Sequence, residues 1–295
     1  MRSVDVRALL AGDRDPVVAC VGTDGAQPAH AVVSSDGRRL AVTNYGDGMV
    51  SVVDLDAGGL PTATRGTFQL DGRGPDPDRQ TGPHAHHARW LTPRRMLVTD
   101  LGGDALHDLE IGDDGRLRQL RVAATAPGTG PRHTVPVGPA TAGAPDGGDS
   151  FVLVEELTGT LSWWDRAGAE DGRLSRRATV ACVVDGTPGG RQPAGAIVAE
   201  AGDGSTVLYV ATRRADVITT FAVQPDAEVP LAALGQTPAG GRAPRDLTLH
   251  DGLLWVAAGG SDVLSGLAVD PRTGVAGEVV VSVPAPGAAW LGVSP

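Results

Sequence analysis

The feature that most constrains this chain is a unit that recurs about every 45 to 60 residues. Each copy holds a short segment with His or Arg, a polar turn, an apolar strand, a polar residue with a small turn, and a second apolar strand. Five copies align. The first runs from Pro28-Ala-His30 through Leu40-Ala-Val-Thr to Asn44-Tyr-Gly, then Met49-Val-Ser-Val-Val. The second runs from Pro83-His-Ala-His86 through Met96-Leu-Val-Thr to Asp100-Leu-Gly-Gly, then Ala105-Leu-His-Asp-Leu. The third begins at Gly130-Pro-Arg-His133, crosses a Gly/Pro-rich stretch, and continues through Phe151-Val-Leu-Val to Glu156, then Thr160-Leu-Ser-Trp-Trp164. The fourth has Ala194-Gly-Ala-Ile197, Leu208-Tyr-Val-Ala-Thr-Arg213 and Val217-Ile-Thr-Thr-Phe221; the fifth has Ala243-Pro-Arg245-Asp246, Leu254-Trp-Val-Ala-Ala and Val263-Leu-Ser-Gly-Leu267.

Hairpins of this kind cannot cover their own apolar faces, so stacking them around an axis is the natural solution. The sequence therefore predicts an all-β fold, a closed β-propeller of four-stranded antiparallel blades forming a single domain over residues 1–295. The 42 Gly and 22 Pro spread along the chain agree with many short strands joined by tight turns. In such a blade the innermost strand leaves one face and the second strand climbs back to it. Two columns of the repeat are thus expected to converge near the axis: His30, His86, His133, Ala196 and Asp246, with Arg132 and Arg245 just before it; and Asn44, Asp100, Glu156, Arg213 and Gly259. Turn positions under structural duty alone drift toward Gly, Asn and Asp. Distinct titratable residues at equivalent positions read as a site.

The net charge of −10 disfavours nucleic acid or an anionic membrane as a partner. An anionic small molecule must then be held locally. The chain contains no lysine, which excludes Schiff-base and phosphate-loop lysines and leaves Arg for bidentate contact with carboxylate or phosphate. The N-terminus, Met1-Arg-Ser-Val-Asp-Val-Arg7, lacks the apolar core of a secretory signal, and no apolar run reaches membrane-spanning length, so a cytoplasmic protein is expected. Cys20 and Cys182 lack metal spacing and read as two small buried apolar residues.

These segments carry a resemblance. The chain resembles the lactonase family of seven-bladed propellers, which holds the cycloisomerase-type 6-phosphogluconolactonases and the 3-carboxy-cis,cis-muconate lactonizing enzyme. The matching stretches are Pro28-Ala-His30 with Asn44-Tyr-Gly46; Gly74-Pro-Asp-Pro-Asp-Arg-Gln80 leading into Pro83-His-Ala-His86 and Asp100-Leu-Gly102; Gly130-Pro-Arg-His133 with Glu155-Glu-Leu157; and Pro244-Arg245-Asp246. The resemblance implies His84 or His86, Arg132, Glu156 and Arg245 as active-site residues, with His133 beside them; from the two columns of the repeat, His30, Asn44, Asp100, His133 and Arg213 are expected to bind substrate. It also implies an acidic residue where this chain has Ala196 and a polar one where it has Gly259. Against the family's seven blades the chain reads as N-terminally shortened, with about five full blades plus remnants. The stretch from Val4 to Thr23 resembles only the outer part of a blade, and Pro284-Ala-Pro-Gly-Ala-Ala-Trp-Leu resembles a closing strand.

Opening a lactone needs an activated water, a donor for the developing oxyanion and a clamp for the substrate's anionic group. His84 or His86 suits the base near neutral pH, Glu156 orients it or acts itself, and Arg132, Arg245 and Arg213 serve as clamps. The expectation is a metal-independent, cofactor-free lactone hydrolase acting on 6-phosphogluconolactone, a small anionic sugar lactone. Alternatives are a carboxymuconate-type or other carboxylated-lactone enzyme and, in another class, a non-catalytic small-acid or protein-binding propeller. The His84-x-His86-His87 run also permits a metal, although further ligands are not evident. His107 and His250 read as surface or strand positions, Trp163, Trp164, Trp255 and Trp290 as filling between blades, and Pro139 to Asp149 as a loop.

Overall fold

The apolar runs become strands because each is long enough to cross a small sheet and is bounded by Gly, Asp or Asn turns. The computed structural model describes residues 2–4, 11–12, 16–137, 150–166, 172–183, 193–201 and 206–292. The stretch from Pro139 to Asp149 lies outside them. The described residues form strands and turns with no helix, so none is present that could cross a membrane. They group into two compact units, one running to Arg132 and the other beginning at His133.

The first unit opens with β1 (Arg2–Val4) and β2 (Val17–Cys20), a two-stranded sheet. Two four-stranded antiparallel sheets follow: β3 (Pro28–Val33), β4 (Arg39–Asn44), β5 (Met49–Leu55) and β6 (Pro61–Gln69); then β7 (Ala85–Thr92), β8 (Arg95–Asp100), β9 (Ala105–Ile111) and β10 (Leu117–Ala124). A third sheet, which supplies the start of the second unit, holds β11 (Pro131–Pro136), β12 (Ser150–Glu155), β13 (Thr160–Arg166) and β14 (Leu174–Ala181). Two more follow: β15 (Ala194–Ala201), β16 (Thr206–Thr212), β17 (Val217–Val223) and β18 (Leu231–Pro238); then β19 (Pro244–His250), β20 (Leu253–Ala258), β21 (Val263–Val269) and β22 (Ala276–Pro284). These five sheets are the blades of an all-β propeller, and their strands coincide with the five copies of the repeat.

Burial explains the composition of the strands. Second and third strands, such as β4, β5, β8 and β12, are buried along most of their length and read as nearly unbroken apolar runs. Fourth strands are exposed, and β10 and β14 carry Arg118, Arg121, Arg176 and Arg177, charges that discourage edge pairing. Between the first two blades Val50, Val52, Trp90, Met96 and Leu109 form one core. In the second unit Val152, Leu161, Trp163, Leu208 and Phe221 form another, and Tyr209, Leu247, Leu254 and Leu267 a third. Trp163 and Trp164 fill the core as expected, whereas Trp290 is 76 % exposed. Cys182 is buried, but Cys20 lies exposed on the two-stranded sheet, contrary to its expected burial. His107 is buried on β9, while His250 is exposed.

Candidate functional site

Pairing within each blade fixes which positions are equivalent, and it separates residues that the repeat alone had merged. On the innermost strands the register shifts between Pro28 and His30, Ala85 and His87, Ala194 and Ile197, and Pro244 and Asp246. A β-bulge therefore recurs at the second residue of these strands, where an unpaired residue bends the backbone and re-aims a side chain. The bulge position carries Ala29, His86, Arg245 and, by its place in β11, Arg132. The position after it carries His30, His87, His133, Ala196 and Asp246. His86 thus stands one residue off the column in which the sequence had placed it. It shares a register with Arg132 and Arg245.

The second column shifts in the same way. Asn44 pairs with Met49, Asp100 with Ala105, Glu155 with Thr160, Thr212 with Val217 and Ala258 with Val263. Asn44 and Asp100 are therefore equivalent to Glu155, not Glu156. Their side chains serve the blade. Asn44 Nδ2 donates to Met49 O and Ser51 Oγ, and its Oδ1 accepts from Thr23 Oγ1. Asp100 is fully buried, and its Oδ1 accepts the backbone N–H of His84, Gly102 and Gly103 at 2.7, 3.0 and 2.9 Å. Glu155 accepts from Thr160 and Ser162 hydroxyls. The residues that follow these ends are Tyr45, Leu101, Glu156, Arg213 and Gly259.

In the first unit, Tyr45 organises two histidines. His84 stacks on it with ring centroids 4.3 Å apart and planes 7° from parallel, and His86 meets it edge-on at 5.8 Å. His84 Nδ1 lies 2.7 Å from Tyr45 O. A carbonyl only accepts, so this contact assigns the proton to Nδ1 and leaves Nε2 with the lone pair. The Gly74–Gln80 segment holds this arrangement: Arg79 Nη2 donates to Tyr45 Oη at 3.0 Å, and Gln80 Nε2 donates to Leu101 O at 2.8 Å. Gly102 is required because a Cβ there would collide with Gly82 O and lie 2.9 Å from His84 Cδ2.

Two buried hydroxyls fix the bulges. Thr43 Oγ1 donates to His86 O at 3.0 Å, and Thr99 Oγ1 donates to Arg132 O at 2.7 Å while accepting the His87 N–H at 3.0 Å. His30 and His87 face each other with centroids 4.2 Å apart. Burial, reinforced by Arg132, lowers the pKa of His30 to about 4. Burial again, with the neighbouring His30, His86, Arg89 and Arg132, holds His87 well below the ordinary histidine range. Both rings are neutral at neutral pH.

In the second unit, Glu156 is 1 % exposed, and its Oε1 accepts from Arg213 Nη2 at 2.7 Å. The two occupy the same register on different blades. Arg245 is exposed, His133 is half-buried, and Ala196 is buried in the core with Tyr209 and Leu247. At Gly259 a Cβ would stand 2.7 Å from Ala288 O and 3.5 Å from Arg245 Cδ, so the C-terminal segment leaves no room for a side chain there. That segment is tied down by Leu291 N–H to Asp246 Oδ2 at 2.8 Å.

Tyr45, Thr43, Thr99 and Arg89 were not singled out as site residues in the sequence, and His87 entered only as part of the His84-x-His86-His87 run read as a metal possibility. The recurrence of Thr before Asn44 and before Asp100 was the available signal for the two threonines. Among the described residues, no three His, Cys, Asp or Glu side chains are grouped to hold a metal ion. A groove of about 880 Å³ lined by Asp36, Arg38, Arg39, Asp54 and Arg65 lies at the opposite strand ends of the first blade, not at these residues.

Comparison with known proteins follows the same lines. Residues 12–293 match the family described as "Lactonase, 7-bladed beta-propeller". An uncharacterized protein, YwcC, of Lactococcus lactis is 30 % identical over 257 residues, covering 86 % of this chain and 71 % of its own. The 6-phosphogluconolactonase of Bacillus subtilis is 32 % identical over 111 residues, 37 % of this chain and 31 % of its own. The periplasmic gluconolactonase PpgL of Pseudomonas aeruginosa is similar in structure with a TM-score of 0.77 and 27 % identity, covering 92 % of this chain and 74 % of that one.

Proposed function

This chain belongs to the lactonase family of seven-bladed β-propellers, and from that premise we propose that it hydrolyses a small anionic sugar lactone, 6-phosphogluconolactone. The observation that carries the reading is the His84 ring, whose Nδ1 is turned to Tyr45 O and whose Nε2 is thereby the basic nitrogen. Water adds to the lactone carbonyl as His84 Nε2 takes its proton. The Arg132 guanidinium stabilises the resulting oxyanion, and the ring C–O bond then breaks as the proton passes to the departing ring oxygen. Glu156 holds Arg213 and does not serve as the base. The name of the Bacillus subtilis relative supports the phosphorylated substrate. That of the Pseudomonas aeruginosa relative favours a second reading, unphosphorylated gluconolactone.

The test follows hydrolysis of freshly generated 6-phosphogluconolactone and of gluconolactone against their spontaneous opening. Wild type, His84→Asn, Arg132→Ala, Glu156→Gln and Arg245→Ala are compared, each with and without chelator. Acceleration that survives chelator and falls about 10²-fold in His84→Asn and Arg132→Ala is expected. No acceleration of either lactone by folded protein would refute the proposal. A higher kcat/KM on gluconolactone would move the substrate to the second reading.

A further inference from the structure

The second blade departs from the other four at one buried position on its third strand. His107 pairs with Val98 there, and the equivalent pairings join Val42 to Ser51, Leu153 to Ser162, Val210 to Thr219 and Val256 to Ser265. The fold thus asks only for a small buried hydroxyl at this register. Ser51 and Ser162 use theirs to meet the strand-end residues of their own blades, Asn44 at 3.2 Å and Glu155 at 2.9 Å. His107 puts a larger, titratable side chain in that place, a diagonal neighbour of Asp100 on one face of the sheet. The two side chains are 3 % and 0 % exposed, with His107 Nε2 3.7 Å from Asp100 Oδ2. Neither atom has a hydrogen-bond partner. Buried polar atoms left so are costly, and the gap, about 0.8 Å longer than a hydrogen bond, admits no third atom. The far ends of the pair are both engaged. His107 Nδ1 lies 2.8 Å from Gln119 Oε1, and Asp100 Oδ1 accepts the N–H groups of His84, Gly102 and Gly103.

We propose that His107 is a positioning residue for His84 and acts through Asp100: its Nε2–H bonds Asp100 Oδ2 and so fixes the carboxylate whose Oδ1 grips the His84 N–H. The carboxylate only accepts, which selects Nε2 as a protonated nitrogen. Gln119 then serves Nδ1 from either end of its amide, the NH2 for a neutral ring and the oxygen for a charged one. A Cβ on Gly103 would strike Asp100 Oδ2, so only glycine there leaves that oxygen room to face His107. A serine would also reach Asp100, as Ser51 reaches Asn44. What the imidazole adds is a link from the carboxylate to Gln119 on the exposed outer strand β10, which holds Asp100 from both sides. The His84 backbone is thereby held while Tyr45 O orients its ring, the kind of outer support that keeps a reacting group in place. This role rests on the reading of His84 as the base.

The test begins with wild-type protein, whose imidazole 15N resonances report where each ring carries its proton. His107 is expected to hold one on Nε2, in slow exchange with solvent; a lone pair on Nε2 would overturn the proposal without any variant. His107→Leu then removes the donor and keeps the bulk, while His107→Gln keeps an N–H near the same place, and thermal transitions check that both fold. In His107→Leu, kcat on the lactone should fall about tenfold with KM within about twofold, and the His84 resonances should move. His107→Gln should return kcat to within about threefold of wild type and restore those resonances. A His107→Leu protein that loses thermal stability but keeps kcat and the His84 resonances would make His107 a part of the scaffold alone and overturn the proposal. If wild type opens neither lactone, the lactonase reading falls and the His84 resonances decide by themselves. Moved in His107→Leu, they keep the positioning role; unmoved, they overturn it.

Discussion

Replacing Thr99 by Val removes one hydroxyl and keeps the side-chain shape. The residue is fully buried, and its Oγ1 donates to Arg132 O and accepts the His87 N–H. Losing the partner of a buried polar group costs about 1–3 kcal/mol, so two such losses, partly relaxed, predict about 2–4 kcal/mol of destabilisation. The blade itself does not require the hydroxyl, because the same register, Thr43 in the first blade, holds Val154, Ala211 and Ala257 in the last three. The hydroxyl serves the Arg132 bulge. A displacement of order 1 Å at a positioning group costs up to about 10²-fold, so kcat/KM on the lactone should fall about 10- to 100-fold in Thr99→Val. Thr99→Ser, which keeps the hydroxyl, should recover most of it. Denaturant titration gives the stability and steady-state hydrolysis the rate. A Thr99→Val variant that loses stability but keeps its rate within about twofold would show that the hydroxyl supports the fold and not the arginine.

Gly102→Ala should displace the His84 loop, lowering activity about 10-fold or more while leaving His30 and His87 resonances in place; unchanged kinetics would refute the close approach at Gly82. Because the folded pKa of His30 is near 4 and its unfolded value is 6.5, the unfolded chain takes up the proton first as pH falls. Stability is therefore full above about 6.5 and declines toward pH 4, by roughly 1–3 kcal/mol from this residue, and His30→Gln should flatten that part of the urea-midpoint profile. A thiol reagent should modify Cys20 alone in the native protein and both cysteines in denaturant, since Cys182 is fully buried and its thiol is pushed up by burial and by Glu155; two fast-reacting native thiols would contradict the packing.

The strands were legible because an apolar run that must be covered on both faces leaves few alternatives. Leu40–Thr43, Met96–Thr99, Phe151–Val154, Leu208–Thr212 and Leu254–Ala258 all lie within second strands of blades. The segments bearing His30, His84, His86, Arg132 and Arg245 were legible for a related reason: polar residues recurring at strand beginnings have no folding duty that composition explains. Arg79 and Gln80 were visible only as part of a family motif; their bonds to Tyr45 and Leu101 show what the motif holds.

The sequence by itself determined the repeat, the all-β class, the strand positions and the set of chemical groups, since each follows from local pattern and residue type. Tertiary pairing decided the register. A bulge adds one unpaired residue, and no periodicity in the chain reports which of His86 and His87 occupies it. Of two adjacent polar residues at a strand end, hairpin pairing chose Glu155 for the blade and freed Glu156 to meet Arg213. The same pairing turned Asn44 and Asp100 inward to bind backbone and brought Tyr45 against His84. Side-chain direction alternates with each residue along a strand, so a one-residue offset reassigns every role, and only the partner strand fixes that offset.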